Sequence, residues 1–173
     1  MSAAESIFQK SNRRIAALAL FILVLDQLAK KLVMLRLPDA GDEKIIIPGF
    51  FKFVHLENTG AAWSLFTGNN GVLAVIALAA LVVLYFTRHH FGAGTPLGQF
   101  ALGLIFGGIC GNLFDRLLPS RHHVVDFLYF FVQTGGREHG VPAFNLADSG
   151  ICVGVGLIFL LNWKKETPPQ KAD

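Results

Sequence analysis

Four apolar blocks, near residues 15–35, 71–87, 97–118 and 144–163, decide what this chain can fold into. Each is around 20 residues long, the length a helix needs to cross the roughly 30 Å hydrocarbon core of a bilayer. A chain of 173 residues has no globular core large enough to hide four such blocks. Only 16% of its residues are charged, against about 25% in soluble domains. The expected fold class is therefore an all-α polytopic membrane protein forming one integral membrane domain over residues 1–173. Four transmembrane helices are expected, with a small extracytoplasmic β-ribbon in the loop 36–70. A disordered chain, a disulfide-stapled secreted module and a soluble enzyme are excluded.

Charge in the connections sets the orientation. Lys10, Arg13 and Arg14 precede the first block, Arg88-His89-His90 follows the second, and Lys164, Lys165 and Lys171 follow the fourth. Basic residues close to the membrane stay in the cytoplasm, so both termini are expected inside and loops 36–70 and 119–143 outside. The first block is not read as a cleaved signal peptide. It runs on through Asp26, Lys30 and Lys31, with no clear small-x-small cleavage site after the apolar part.

Within loop 36–70, Ile45-Ile46-Ile47 and Phe50 to Leu56 flank Pro48-Gly49, a β-ribbon pattern around a turn. Trp63 suits a membrane interface. No basic run with interleaved aromatics indicates nucleic-acid binding. The adjacent pairs His89-His90 and His122-His123 are poor chelators, because neighbours point different ways. Cys110 and Cys152 lie in apolar blocks and read as packing residues.

Polar residues in or beside spans are costly and need a reason. Asp26 and Lys30 are spaced i, i+4, fit for an ion pair. Asn112, Asp115 and Arg116 share a face at the end of the third span, where Asp115 and Arg116 read as a structural ion pair. Gly103, Gly107 and Gly111 recur every fourth residue and let another helix approach. Asp126 follows just outside that span, and Asn145 and Asp148 open the fourth. The topology puts these residues at one depth, near the outer interface, and this convergence marks a site.

No nucleophile in that layer has an obvious base. Two carboxylates sharing a proton can hydrolyse a peptide without one, since both cannot ionise side by side. Asp26, Asp115, Asp126 and Asp148 all qualify by depth. Asp115 and Asp26 have cations close in sequence, which leaves Asp126 and Asp148 freer to titrate together. The rival classes are a small proton-coupled transporter, whose acids would sit at the bilayer midplane, and a structural membrane subunit.

Five segments in order resemble those of the bacterial type II signal peptidases, the lipoprotein signal peptidase family. They are Asp26-Gln27-x-x-Lys30, Glu57-Asn58-Thr59-Gly60-Ala61-Ala62-Trp63-Ser64, Gly108-x-x-Gly111-Asn112-x-x-Asp115-Arg116, Val124-Val125-Asp126-Phe127 and Phe144-Asn145-x-Ala147-Asp148. The family usually has Phe where this chain has Trp63, and Gln133 to Pro142 looks like a longer surface loop than the family needs. The resemblance implies an aspartic endopeptidase of the bacterial inner membrane. Its substrate would be a prolipoprotein, cut before a cysteine that carries a diacylglyceryl group. It implies Asp126 and Asp148 as the catalytic pair, with Asn58, Asn112, Arg116 and Asn145 lining or bracing the site. Asp26, Lys30 and Asp115 would support it from behind, and a loop around Asn58 and Gly60 would close over it. Neither metal nor organic cofactor is implied. A monomer in contact with membrane lipid is expected.

Overall fold

The computed structural model describes residues 3–60 and 66–166. Trp63, with Ala61, Ala62 and Ser64 of the same motif, lies outside the described residues. In chain order the elements are α1 (Ala3–Arg36), β1 (Glu43–Ile47), β2 (Phe51–Asn58), α2 (Asn70–Thr87), α3 (Pro96–Leu117), β3 (Val124–Thr134), β4 (Arg137–Gly140) and α4 (Leu146–Glu166). Among the described residues, three helical stretches are long and apolar enough to cross a membrane: Asn70–Thr87, Pro96–Leu117 and Leu146–Trp163. α1 has 34 residues and ample length. Asp26, Lys30 and Lys31 interrupt its apolar run.

α3 is the hub, packed against α1, α2 and α4. Its start is set by Thr95, whose Oγ1 accepts the Gly98 N–H at 3.1 Å, with Pro96 preorganised in the first turn. Its end is set by Pro119, which cannot continue a helix. The glycine row works as expected. A Cβ on Gly103 would meet Leu18 of α1, and one on Gly107 would lie 2.7 Å from the Ala19 carbonyl oxygen. Gly108 faces the other way, and a Cβ there would stand 2.3 Å from the Ala147 carbonyl oxygen of α4. Two helices thus press on α3 at backbone range. The outer flanks of α1, α2 and α4 expose large apolar side chains, among them Phe21, Val75, Phe86 and Phe159, as lipid-facing helices do.

The expected all-α class needs correction. β1 to β4 form one four-stranded antiparallel sheet in the order β1-β2-β3-β4, larger than the expected ribbon. The β1–β2 hairpin turns at Pro48-Gly49 as expected, with Gly49 at φ 72°. The segment read as a long surface loop is instead the β3–β4 hairpin. Gly135 and Gly136, at φ 60° and 76°, make its two-residue turn, a conformation that glycines adopt without strain. Lys52 on β2 ties the sheet together. It is buried and pairs with Glu43 of β1 at 2.6 Å and Glu138 of β4 at 2.8 Å. Phe51 stacks on Phe130 across β2 and β3 at 4.7 Å. That strand pairing carries Asn58 to the edge of Asp126.

Candidate functional site

The site forms where the C-terminal end of α3 and the start of α4 meet β2 and β3. A cavity of about 1030 Å³ opens there, lined by Asn58, Asn112, Arg116, Asp126 and Asp148, with Phe144 on its apolar side. The two aspartates come from elements of different kinds, β3 and α4.

Asp148 is placed by the way α4 begins. Asn145 precedes the first helical residue, and its Oδ1 accepts the Asp148 N–H at 2.9 Å. Asp148 Oδ2 returns the bond, accepting the Asn145 N–H at 3.2 Å. This reciprocal capping box satisfies two of the donors a helix start leaves open. Asp26 of α1 takes another, accepting the Ala147 N–H at 3.0 Å. The remaining oxygen of Asp148 accepts Asn112 Nδ2 at 2.7 Å.

Asp126 is held by two amides. Asn145 Nδ2 donates to its Oδ1 at 2.7 Å and Asn58 Nδ2 to its Oδ2 at 2.8 Å. Asn58 Oδ1 meanwhile accepts the Gly60 N–H at 2.9 Å, so its amide cannot turn freely. Burial pushes the Asp126 carboxyl up to about 7, and the negative charge of Asp148 adds to the rise. The amide hydrogen bonds and the Lys30 charge oppose it. Among the described residues, no Lys or Arg forms a salt bridge with Asp126 or Asp148.

The other two candidate aspartates are sealed. Lys30 is fully buried and lies 2.7 Å from Asp26 Oδ2 and 2.6 Å from Asp115 Oδ2. Gln27 Nε2 bridges Asp26 and Asp115 as well, at 3.2 and 3.0 Å. Gly111 makes room, because a Cβ there would stand 2.7 Å from Asp26 Oδ2. The second cation on Asp115 is Arg121, at its Oδ1.

That arrangement overturns the expected Asp115–Arg116 pair. Arg116 points into the cavity and donates to the Gly60 carbonyl at 2.9 Å and the Asn112 carbonyl at 3.3 Å. Successive helical residues are rotated by about 100°, so adjacent charges rarely share a face. The structure brings Asn58, Gly60, Asn112, Arg116, Asp126 and Asp148 together at the cavity, with Asn145 buried behind the two aspartates. It places Asp26, Lys30 and Asp115 behind it. Sequence reasoning missed Arg121 and Gln27 as supports. Gln27 had a signal, since it adjoins Asp26 in the first motif. Arg121 had none, because its approach depends on the turn after Pro119.

Residues 18–164 match the family model described as "Signal peptidase (SPase) II". A lipoprotein signal peptidase of Symbiobacterium thermophilum is 43% identical over 144 residues, 83% of this chain and 90% of that protein. The lipoprotein signal peptidase of Aeromonas hydrophila is 40% identical over 161 residues, covering 91% and 92% of the two chains. A bacterial membrane enzyme solved by the in meso method at 2.3 Å superimposes with a TM-score of 0.76 at 28% identity, over 92% of this chain and 93% of that one. The chain belongs to the signal peptidase II family.

Proposed function

We propose that this membrane peptidase removes signal peptides from diacylglyceryl-modified prolipoproteins, with Asp126 and Asp148 as an aspartic dyad. The observation that carries the reading is the pair of carboxylates lining one cavity and held by amides, while Asp26 and Asp115 are sealed by Lys30. An ion-paired acid cannot exchange protons cheaply. An amide-held one can.

Asp126, its carboxyl raised to about 7, keeps a proton into the neutral range and donates it to the scissile carbonyl oxygen. Asp148 takes a proton from the attacking water, whose oxygen bonds to the carbonyl carbon. When the C–N bond breaks, the leaving cysteine nitrogen takes the proton Asp148 holds, and the new acid group returns one to the dyad. Arg116, tied to Gly60, holds the cavity rim in place. The relatives' names supply the substrate class, and the site's geometry suits it. The cavity sits at the ends of apolar helices, where a lipidated cysteine would keep its acyl chains in the outer leaflet. The reading further implies four spans in the bacterial inner membrane, both termini in the cytoplasm, and a monomer. A reporter inserted at Gly135-Gly136 should then report the outer side, and a cytoplasmic signal would reverse that topology.

The test uses purified protein and a synthetic prolipoprotein peptide with and without the diacylglyceryl group. Cleavage of the lipidated peptide alone, and a loss of turnover of roughly 1000-fold or more in Asp126→Asn and in Asp148→Asn, are expected. Equal rates on the two peptides would make this an ordinary peptidase. Substantial activity in either folded variant would remove the dyad.

A further inference from the structure

The amides that hold the dyad have two possible orientations, and only one presents N–H groups to the carboxylates. Asn145 is oriented by the backbone, because its Oδ1 is occupied by the Asp148 N–H. Among the described residues, no backbone group does this for Asn112. Its Oδ1 instead accepts Lys30 Nζ at 3.0 Å and Asn145 Nδ2 at 3.2 Å. An ammonium group has three donors and no acceptor. Those of Lys30 go to Asp26, Asp115 and Asn112, so every proton is used. Turned the other way, Asn112 would set its NH₂ against that cation and its oxygen against Asp148.

We infer that Lys30 is a positioning residue for catalysis, whose charge fixes the orientation of the Asn112 amide and so the hydrogen bond that holds Asp148. The inference rests on the dyad reading and deepens it. Asp26 and Asp115 hold Lys30 in place at a fully buried position. Asp26 also carries the same cluster to the first turn of α4, through the Ala147 N–H. The charges facing the dyad are therefore Arg116 from α3 and Lys30 from α1. Asp26, Asp115 and Arg121 stand behind Lys30.

A merely structural lysine would also be buried and paired, so the test must separate the two roles. Lys30→Met leaves two buried carboxylates short of a cation and is expected to fold poorly. The double variant Asp26→Asn with Lys30→Met keeps the cluster neutral, keeps an acceptor for the Ala147 N–H and removes the donor to Asn112. Folded double variant, assayed on the diacylated peptide, should lose roughly 10- to 100-fold in kcat with KM little changed. That is the scale of one hydrogen bond to a charged group. Its alkaline limb of kcat against pH should also move to higher pH, because a positive charge near Asp126 has gone. Wild-type kcat with an unmoved limb in the folded double variant would overturn the inference. Asp126→Asn assayed alongside keeps the failures apart. If it is inactive while the double variant behaves as wild type, the dyad stands and only Lys30 loses its role. If it retains activity, the dyad itself fails.

Discussion

Replacing the buried acid Asp126 by Asn should stabilise the protein, and only above a definite pH. The carboxyl rises from 3.8 to about 7, first because it is buried and then because Asp148 is nearby. A group with a raised native pKa contributes stability that is fully present below its unfolded value and lost as pH climbs through the folded one. Wild-type protein therefore loses stability between about pH 4 and pH 7, and an Asn, which does not titrate, avoids the loss. A shift of this size corresponds to about 4 kcal/mol at most, and relaxation of the site reduces that to about 2–4 kcal/mol. One constant cost works against the variant. Both oxygens of Asp126 accept N–H groups, so the Asn amide nitrogen must face a donor. Asn58 can turn only by giving up the Gly60 N–H, a cost of about 1 kcal/mol.

That cost does not vary with pH, whereas the gain does. The readout is therefore the widening of the gap between variant and wild type, not its value at one pH. Thermal unfolding in detergent at pH 4.5 and pH 8 should show Asp126→Asn level with or slightly below wild type at the lower pH. At the higher pH it should melt roughly 5–10 °C above wild type. A gap that stays constant, or closes as pH rises, would show that Asp126 is not strained by burial. The account of the shared proton would fall with it.

Two further substitutions test the scaffold. Asp115→Asn should lower thermal stability by about 2–4 kcal/mol, because it removes one acid from between Lys30 and Arg121; an unchanged melting temperature would mean that the buried cluster is not tightly coupled. Gly108→Ala sets a Cβ 2.3 Å from the Ala147 carbonyl, pushing away the α4 turn that carries Asp148. It should cost about 1–3 kcal/mol and reduce turnover with it, and full activity in the folded variant would show that α4 can shift without disturbing the site.

Much of this fold was legible in hydropathy. The blocks at 71–87 and 97–118 lie almost residue for residue on α2 and α3, because a span must be both long and apolar. The β1–β2 hairpin was legible through Pro48-Gly49 between β-branched and aromatic runs. The β3–β4 hairpin was not. Val124 to Val132 is almost continuously apolar, with none of the alternation that marks a half-solvated strand, because its first four residues are all buried. The remaining signal is Gly135-Gly136, a two-residue turn pair, and its polar neighbours Gln133, Arg137 and Glu138 carry no strand pattern of their own. A glycine pair among polar residues reads as a surface loop as readily as a hairpin turn.

The four aspartates show where one-dimensional reasoning succeeds and where it stops. Lys30 stands one helical turn from Asp26 in the sequence, and the relation holds in space: i and i+4 share a face, and the ion pair forms at 2.7 Å. Arg116 adjoins Asp115 in the sequence, and there adjacency misleads. Adjacent helical residues diverge, so Arg116 turns to the cavity while Asp115 is neutralised by Lys30, 85 residues back in the sequence, and by Arg121 beyond the helix. The Asp26 bond to the Ala147 N–H, which joins the first helix to the start of the last across 121 residues, has no local signature at all. Spacing rules see only pairs within a turn or two of helix. The charges that decide which acids can still exchange a proton reach them through helix packing, and that packing is set by where glycine lets α3 touch α1 and α4.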